Sequence, residues 1–255
     1  MSHKFDYFIS LLLGILFLFL WEFLTHFMQI SALVLPSPSS IFLTLTKGLS
    51  SGYFLPHLLQ TLGEVLGGLL LGSIFGMGGG IFLGEVISFR KLVMPYVVMT
   101  QIIPKLALAP LFIVWFGFGS LPCVVMTALI CFFPMLETTM TAIDNVDVQK
   151  IKLFKILGAS RFQTLIKLKV ACSLPYIFSG FRVSVVLSLV GAVVSEFIGA
   201  SRGLGTLIIV GQGSMDTPMI FASMTLITAM GLCIYTLTTL LESYFLKNYA
   251  LNRRR

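Results

Sequence analysis

Residues 58–84 read LLQTLGEVLGGLLLGSIFGMGGGIFLG, a run in which Glu64 is the single charge. About 20 apolar residues suffice to carry a helix across a bilayer core, so this run is long enough to span. Within it Gly68, Gly72, Gly76, Gly80 and Gly84 recur every four residues, with Gly63 and Gly67 just ahead of them. Residues four apart on a helix lie on one slowly rotating ridge. Removing the side chains from that ridge lets a second helix backbone come close, and dispersion then drives an association that lipid does not. The spacing therefore predicts a helix buried inside a bundle, packed through its glycines. A helix that slides or rocks during a cycle is the other use such a ridge allows.

The rest of the chain agrees. Its 255 residues are 57% hydrophobic and 11% charged, with a mean hydropathy of +0.99. Soluble domains are about a quarter charged, so this chain cannot cover its own surface in water. The composition excludes a soluble enzyme, a secreted disulfide module and a disordered chain. Cys123, Cys131, Cys172 and Cys233 are well separated with no C-x-x-C, so neither a disulfide framework nor a metal site is expected.

Apolar runs bounded by charge, Pro and Gly give six expected membrane helices in an all-α protein. They cover about 7–27 (an uncleaved anchor), 58–83, 92–115, 121–142, 175–199 and 219–244. With the N-terminus inside, one side receives Lys4, Arg90, Lys91, Lys150, Lys152, Lys155, Arg161, Lys167, Lys169, Lys247, Arg253, Arg254 and Arg255; the other receives Lys47 and Arg202. Basic residues favour the cytoplasmic side, so both termini are expected in the cytoplasm. The net charge of +7 is assigned to these loops and to anionic lipid rather than to nucleic acid. The segments are an anchor and external stretch (1–57), a main membrane domain (58–246) and a basic tail (247–255).

Several polar residues stand out. The third run carries Pro95, Pro104 and Pro110, with Gln101 and Lys105 nearby. Proline frees carbonyls that neighbours or a water-filled cavity must satisfy, and an ammonium at membrane depth faces a pathway or a partner. Gln101, Pro104, Lys105, Glu137 and Glu196 are the pathway or gate candidates. Lys105 could attract an anionic solute, snorkel outward, or pair with Glu137 or Glu64. Glu196 could pair with Arg202, or form a gate or docking contact.

Between the fourth and fifth runs lie some thirty residues, more than a bundle connection needs. They include Ile151-Lys152-Leu153-Phe154-Lys155-Ile156-Leu157, then Gly158-Ala159-Ser160-Arg161. The spacing predicts a short helix, a stop at Gly158 and a second helix capped by Ala159-Ser160. Both would lie beneath the membrane, as a knob for a soluble partner or as a pair held on lipid.

Across nearly its whole length the sequence resembles the permease subunits of binding-protein-dependent ABC importers, closest to the group serving nitrate, sulfonates, taurine and thiamine or riboflavin precursors. The resemblance rests on an ordered series. It begins with Leu35-Pro36-Ser37-Pro38-Ser39, the glycines of 63–84, Ile103-Pro104-Lys105 through Pro110-Leu111, and Trp115-Phe116-Gly117-Phe118-Gly119. It continues with Phe132-Phe133-Pro134, Val146-Asp147, Leu157-Gly158-Ala159-Ser160-Arg161 and Leu174-Pro175-Tyr176 through Arg182. Ser195-Glu196 through Gly203-Leu204-Gly205 closes it. The resemblance implies the type I importer permease fold in a bacterial inner membrane, as a homodimer served by an external solute-binding protein and a cytoplasmic ATPase dimer. ATP and Mg would then sit in the partner and no cofactor in this chain, which has no G-x-x-x-x-G-K-[ST]. Lys152, Phe154, Lys155, Leu157, Gly158, Ala159, Ser160 and Arg161 would form the loop that couples to the ATPase. Lys152-Leu153-Phe154 stand where the family has Glu-Ala-Ala, and Ala171 where a Pro is usual, so the acidic contact must be replaced by a like-charge or hydrophobic one.

A different class, an ion-coupled transporter acting alone, normally needs mid-membrane carboxylates or histidines. Here His3, His26 and His57 lie near ends of runs, leaving Glu64 and Glu137. An intramembrane enzyme would need motifs such as H-E-x-x-H or G-x-S-x-G, which the sequence lacks.

Overall fold

The computed structural model describes the backbone of residues 2–252 and the side chains at 9 and 12–247. Lys4, Arg253, Arg254 and Arg255, counted above for orientation, lie outside the described side chains.

Among the described residues the chain is helical throughout. Helix α1 (Ser2–Phe27) leads to α2 (Pro38–Ser50), then α3 (Phe54–Glu85) and α4 (Ile87–Ile102). A 3-10 turn (Lys105–Leu108) and α5 (Ala109–Phe116) precede α6 (Ser120–Asp144). After α7 (Val148–Ile156) comes the single turn α8 (Arg161–Thr164), which runs through a π-helical stretch (Leu165–Val170) into α9 (Ala171–Gly199). Helices α10 (Leu204–Gly213) and α11 (Thr217–Asn252) complete the chain.

The glycine ridge decides the architecture. A Cβ at Gly72, Gly76, Gly80 or Gly84 would lie 2.7–2.8 Å from the Cβ of Cys131, Met135, Thr139 or Ile143 respectively, and Gly68 faces Thr127 in the same way. Each step of four along α3 is matched by a step of four along α6, so the two helices run parallel in contact for roughly 24 Å at 1.5 Å per residue. A Cβ at Gly67 would meet α6 only at ordinary van der Waals distance, 3.5 Å from Val124, and one at Gly63 would have nothing within 4 Å.

Parallel packing has a topological consequence. The chain leaves α3 beside the end of α6 and must return the full length of the contact before α6 can begin. Residues 86–119 make that return. They do so as a broken span, in which Ile87–Ile102 and Lys105–Phe116 meet at 81°, and not as the continuous third helix expected over 92–115. Pro104 lies at the break, where a missing amide donor interrupts the ladder.

Helices α3, α6, α8–α9 and α11 are long and apolar enough to cross a membrane, and the bent pair makes a fifth such span. Of α1, the apolar stretch Leu12–Phe27 falls within the described side chains. Val65, Leu69, Cys131, Val185, Ala192, Met230 and Ile234 form the core where α3, α6, α9 and α11 meet. Helix α6 faces α9 on its other side. There Cys131 Sγ donates to the Ser184 carbonyl and Ser184 Oγ to the Cys131 carbonyl, both at 3.3 Å.

The external stretch after α1 contains a helix, α2, capped by Ser37 with Pro38 in its first turn. One further expectation changes. The second helix after Gly158 does not lie apart beneath the membrane; it continues into the next span, Arg161–Gly199. Helix α10 lies in a stretch left outside the six expected spans.

Candidate functional site

The elbow between α7 and α8 is built by local rules. Asp147 caps α7, its carboxylate accepting the Gln149 N–H at 2.8 Å. At the other end Ala159 N–H donates to the Phe154 carbonyl at 3.0 Å and Gly158 N–H to the Lys155 carbonyl at 3.1 Å. This pair of bonds is the Schellman stop, and it needs a left-handed residue; Gly158 has φ +76°. Ser160 and Gln163 then form a reciprocal capping box for α8. These bonds define the turn locally, and its apolar side chains are bare: Ile156 is 82% exposed, Leu157 73% and Phe162 70%. Lys152, Lys155, Ser160 and Arg161 are exposed beside them, whereas Phe154 and Ala159 are half-buried.

Two ion pairs fasten this end of the bundle. Lys169 in the π-helical stretch meets Glu85 at the end of α3 at 2.5 Å, and Arg90 meets Asp144 at 2.7 Å. Lys169 thus joins the helix that follows the elbow to the last turn of the glycine-ridge helix. Arg182 pairs with Glu242 at 3.3 Å.

The broken span opens a cavity of about 350 Å³ lined by Gln101, Lys105, Phe133, Pro134, Glu137 and Thr138. Lys105 Nζ lies 4.4 Å from the centre of the Phe133 ring. Neither Glu137 nor Glu64 is within 4 Å of it, since it forms no ion pair among the described residues. A second cavity of about 380 Å³ shares Glu137 and Thr138 and adds Thr141, Asn145, Tyr176 and Ser179 toward the elbow end. Thr138 Oγ1 donates to the Pro134 carbonyl at 2.6 Å, covering backbone near the proline.

At the far end a buried polar cluster ties α3, α9 and α10 together. Glu196, 2% exposed, accepts Thr61 Oγ1–H and Gly205 N–H, each at 2.5 Å. Thr61 Oγ1 in turn accepts the Leu204 N–H at 2.8 Å. Gly203 N–H donates to His57 Nδ1 at 3.1 Å, and a Cβ on Gly203 would collide with the Glu196 carboxylate. Beside them Gln60 donates to Glu64 at 2.7 Å, while the second Glu64 oxygen has no partner. Arg202 does not pair with Glu196. It lines a surface cleft with Tyr53 and His57 instead.

The candidates thus separate. Gln101, Lys105 and Glu137 share one cavity with Pro104 at its hinge, whereas Glu196 belongs to the far cluster. Thr61 and Thr138 carry no mark in the sequence, and His57 is set aside there as lying near the end of a run. Thr61 and Glu64 sit three apart on an otherwise apolar run, which is the signal that was available.

A broken span between parallel helices, a polar cavity and a protruding elbow describe a transporter's membrane part. The sequence profile of the family described as "Binding-protein-dependent transport system inner membrane component" matches residues 68–250. The chain belongs to that family. It is similar to the riboflavin transport system permease RibX of Chloroflexus aurantiacus, at 36% identity over 83% of this chain and 79% of that one. It is also 31% identical to the putative aliphatic sulfonates permease SsuC of Bacillus subtilis, over 93% of this chain and 86% of the relative. Its fold matches that of a chain from inward-facing structures of the MetNI methionine ABC transporter, with a TM-score of 0.59 over 72% of this chain and 95% of that chain, at 17% identity. The protein is a multi-pass inner-membrane ABC permease, with the all-α importer fold that its sequence implied.

Proposed function

We propose that two copies of this permease line a solute path, that an external binding protein delivers the solute, and that each elbow sits in a cytoplasmic ATPase subunit which hydrolyses ATP for the pair. In this reading both termini face the cytoplasm, residues 58–246 form the transport domain, and the chain itself holds no cofactor. The solute is a small polar molecule: a nitrate- or sulfonate-like anion, or a riboflavin or thiamine precursor.

The observation that carries the reading is the elbow. A turn fixed by a Schellman stop and a capping box, with three bare apolar side chains, has no use in water and is joined without a break to a 39-residue helix. Such a lever transmits force only if its socket holds it differently in two states. Ile156, Leu157 and Phe162 supply the grip that an acidic contact would otherwise give, with Lys152 in place of a carboxylate.

The test is replacement of Gly158 by Val. The φ of +76° then becomes strained, while nothing lies within 4 Å of a Cβ there. The permease should still insert and dimerise, while solute-stimulated ATP hydrolysis by the complex falls at least tenfold. Wild-type turnover would remove the elbow from the mechanism. Uptake by the purified permease alone from an ion gradient would replace the reading with an ion-coupled carrier.

A further inference from the structure

The cluster at the end away from the elbow is short of one hydrogen. Glu64 and Glu196 are 1% and 2% exposed, and their side chains are hydrogen-bonding neighbours. Neither forms an ion pair among the described residues. Burying two carboxylates side by side with no cation is costly for each ion, and like charges sharing one site do not both ionise.

The donors around the pair say where the proton sits. Glu196 is met on both oxygens, by Thr61 Oγ1–H at Oε1 and by Gly205 N–H at Oε2. Accepting at both oxygens is the pattern of a carboxylate. Glu64 differs. Its Oε1 accepts one amide hydrogen of Gln60, whose amide also donates to Ser120 Oγ, while no donor reaches Oε2. One accepting oxygen and one oxygen without a donor is the pattern of a carboxylic acid, whose O–H then donates to Glu196. A metal ion would need several oxygen ligands around it, whereas Thr61, Gly205 and Gln60 all turn donors toward the pair.

We propose that Glu64 and Glu196 form a one-proton site, with the proton on Glu64 donated to Glu196, and that this proton locks segment 203–205 and the start of α10 onto α3. The proposal goes beyond the permease reading and does not depend on it. When the proton leaves, the two carboxylates repel, and the bonds from Thr61 and Gly205 to Glu196 are strained with them. The lock therefore holds in acid and weakens in alkali.

Few other titratable groups face the pair. Helix α10 brings none, α6 brings the Cys123 thiol against Glu64, and His57 of α3 and Arg202 lie on the outer side of Gly203. Arg202 keeps its charge throughout. A protonated His57 Nδ1 no longer accepts the Gly203 N–H, so its titration loosens the segment in acid, the opposite sense.

The test compares the full chain with its Glu64→Gln variant in lipid nanodiscs, both carrying Cys123→Ala to remove the thiol. Gln keeps the oxygen that Gln60 needs and a donor toward Glu196, but cannot lose that donor. The parent should show the infrared carbonyl band of a protonated glutamate at neutral pH, assigned by 13C-glutamate labelling, and Glu64→Gln should lack it. Hydrogen exchange of segment 203–206 should match between the two in mild acid and be at least fivefold faster in the parent in alkali. Glu196→Gln, which turns an NH2 toward Thr61 or Gly205, should speed that exchange at every pH. A band that survives Glu64→Gln, exchange that matches at every pH, or a Glu196→Gln variant as protected as the parent would each overturn the proposal. If the variants fail to insert, the parent alone decides, since absence of the protonated-glutamate band at neutral pH overturns it.

Discussion

Thr61 shows how much one hydroxyl can hold at the residue scale. It donates to Glu196 and accepts from Leu204, so it joins α3 to the end of α9 and the start of α10. Leaving buried polar partners unmet costs about 1–3 kcal/mol apiece. Thr61→Val, which keeps the shape, should therefore lower the unfolding midpoint in detergent by several degrees, and Thr61→Ser should restore most of it. Indifference to both substitutions would mean that the cluster is held from elsewhere. Gly158 is the opposite case. Its part is a backbone angle, so its replacement should cost about 1–2 kcal/mol of backbone strain, leave the bundle folded, and damage coupling far more than that loss explains.

At the scale of elements, two glycines on one helix separate packing from propensity. Gly76 has Met135 Cβ at 2.7 Å from where its own Cβ would stand, whereas nothing lies within 4 Å of the corresponding position on Gly78. Overpacking costs about 1–3 kcal/mol, and Ala favours helix over Gly by about 1 kcal/mol. Gly76→Val should therefore cut thermal stability, while Gly78→Ala leaves it unchanged or raises it. Equal effects would show that the α3–α6 contact is not what the ridge serves. The ridge was legible in sequence because close helix approach forces small residues to recur at a fixed period. The break in the third span was only half legible: Pro95, Pro104 and Pro110 mark trouble, but Pro134 and Pro175 sit inside unbroken helices. Which prolines break a helix is settled by what packs around them, and that is tertiary information. The far cluster was hidden for the same reason, since Thr61 and Leu204 are 143 residues apart. The elbow was legible because Gly158 and Ser160 act through bonds within a few residues, although which of its apolar side chains face outward was not. The Lys169–Glu85 pair yields an element-scale prediction of its own. Lys169→Glu should uncouple ATP hydrolysis from transport, and Lys169→Glu with Glu85→Lys should recover it; no recovery would mean that the elbow acts on the bundle through α9 alone.

For the whole molecule, the parallel α3–α6 pair fixes which ends lie together: the elbow, Arg90 and Lys169 at one end, Arg202, His57 and α2 at the other. Thirteen basic residues were assigned to the first side and two to the second, and basic residues within about 15–20 positions of a span set its orientation. The elbow should therefore face the cytoplasm and Arg202 the opposite side. Single cysteines at Ile156 and at Arg202, in a background with Cys123, Cys131, Cys172 and Cys233 replaced, report this directly. A membrane-impermeant maleimide on spheroplasts should label the Arg202→Cys variant and spare Ile156→Cys, with both labelled after lysis. The reverse pattern would place the elbow away from any nucleotide-hydrolysing partner and leave the bare Ile156, Leu157 and Phe162 without a socket. With the expected pattern, the Ile156 variant should also crosslink to the ATPase subunit, and loss of that crosslink in Gly158→Val would tie the backbone angle of one residue to the engagement of the complex.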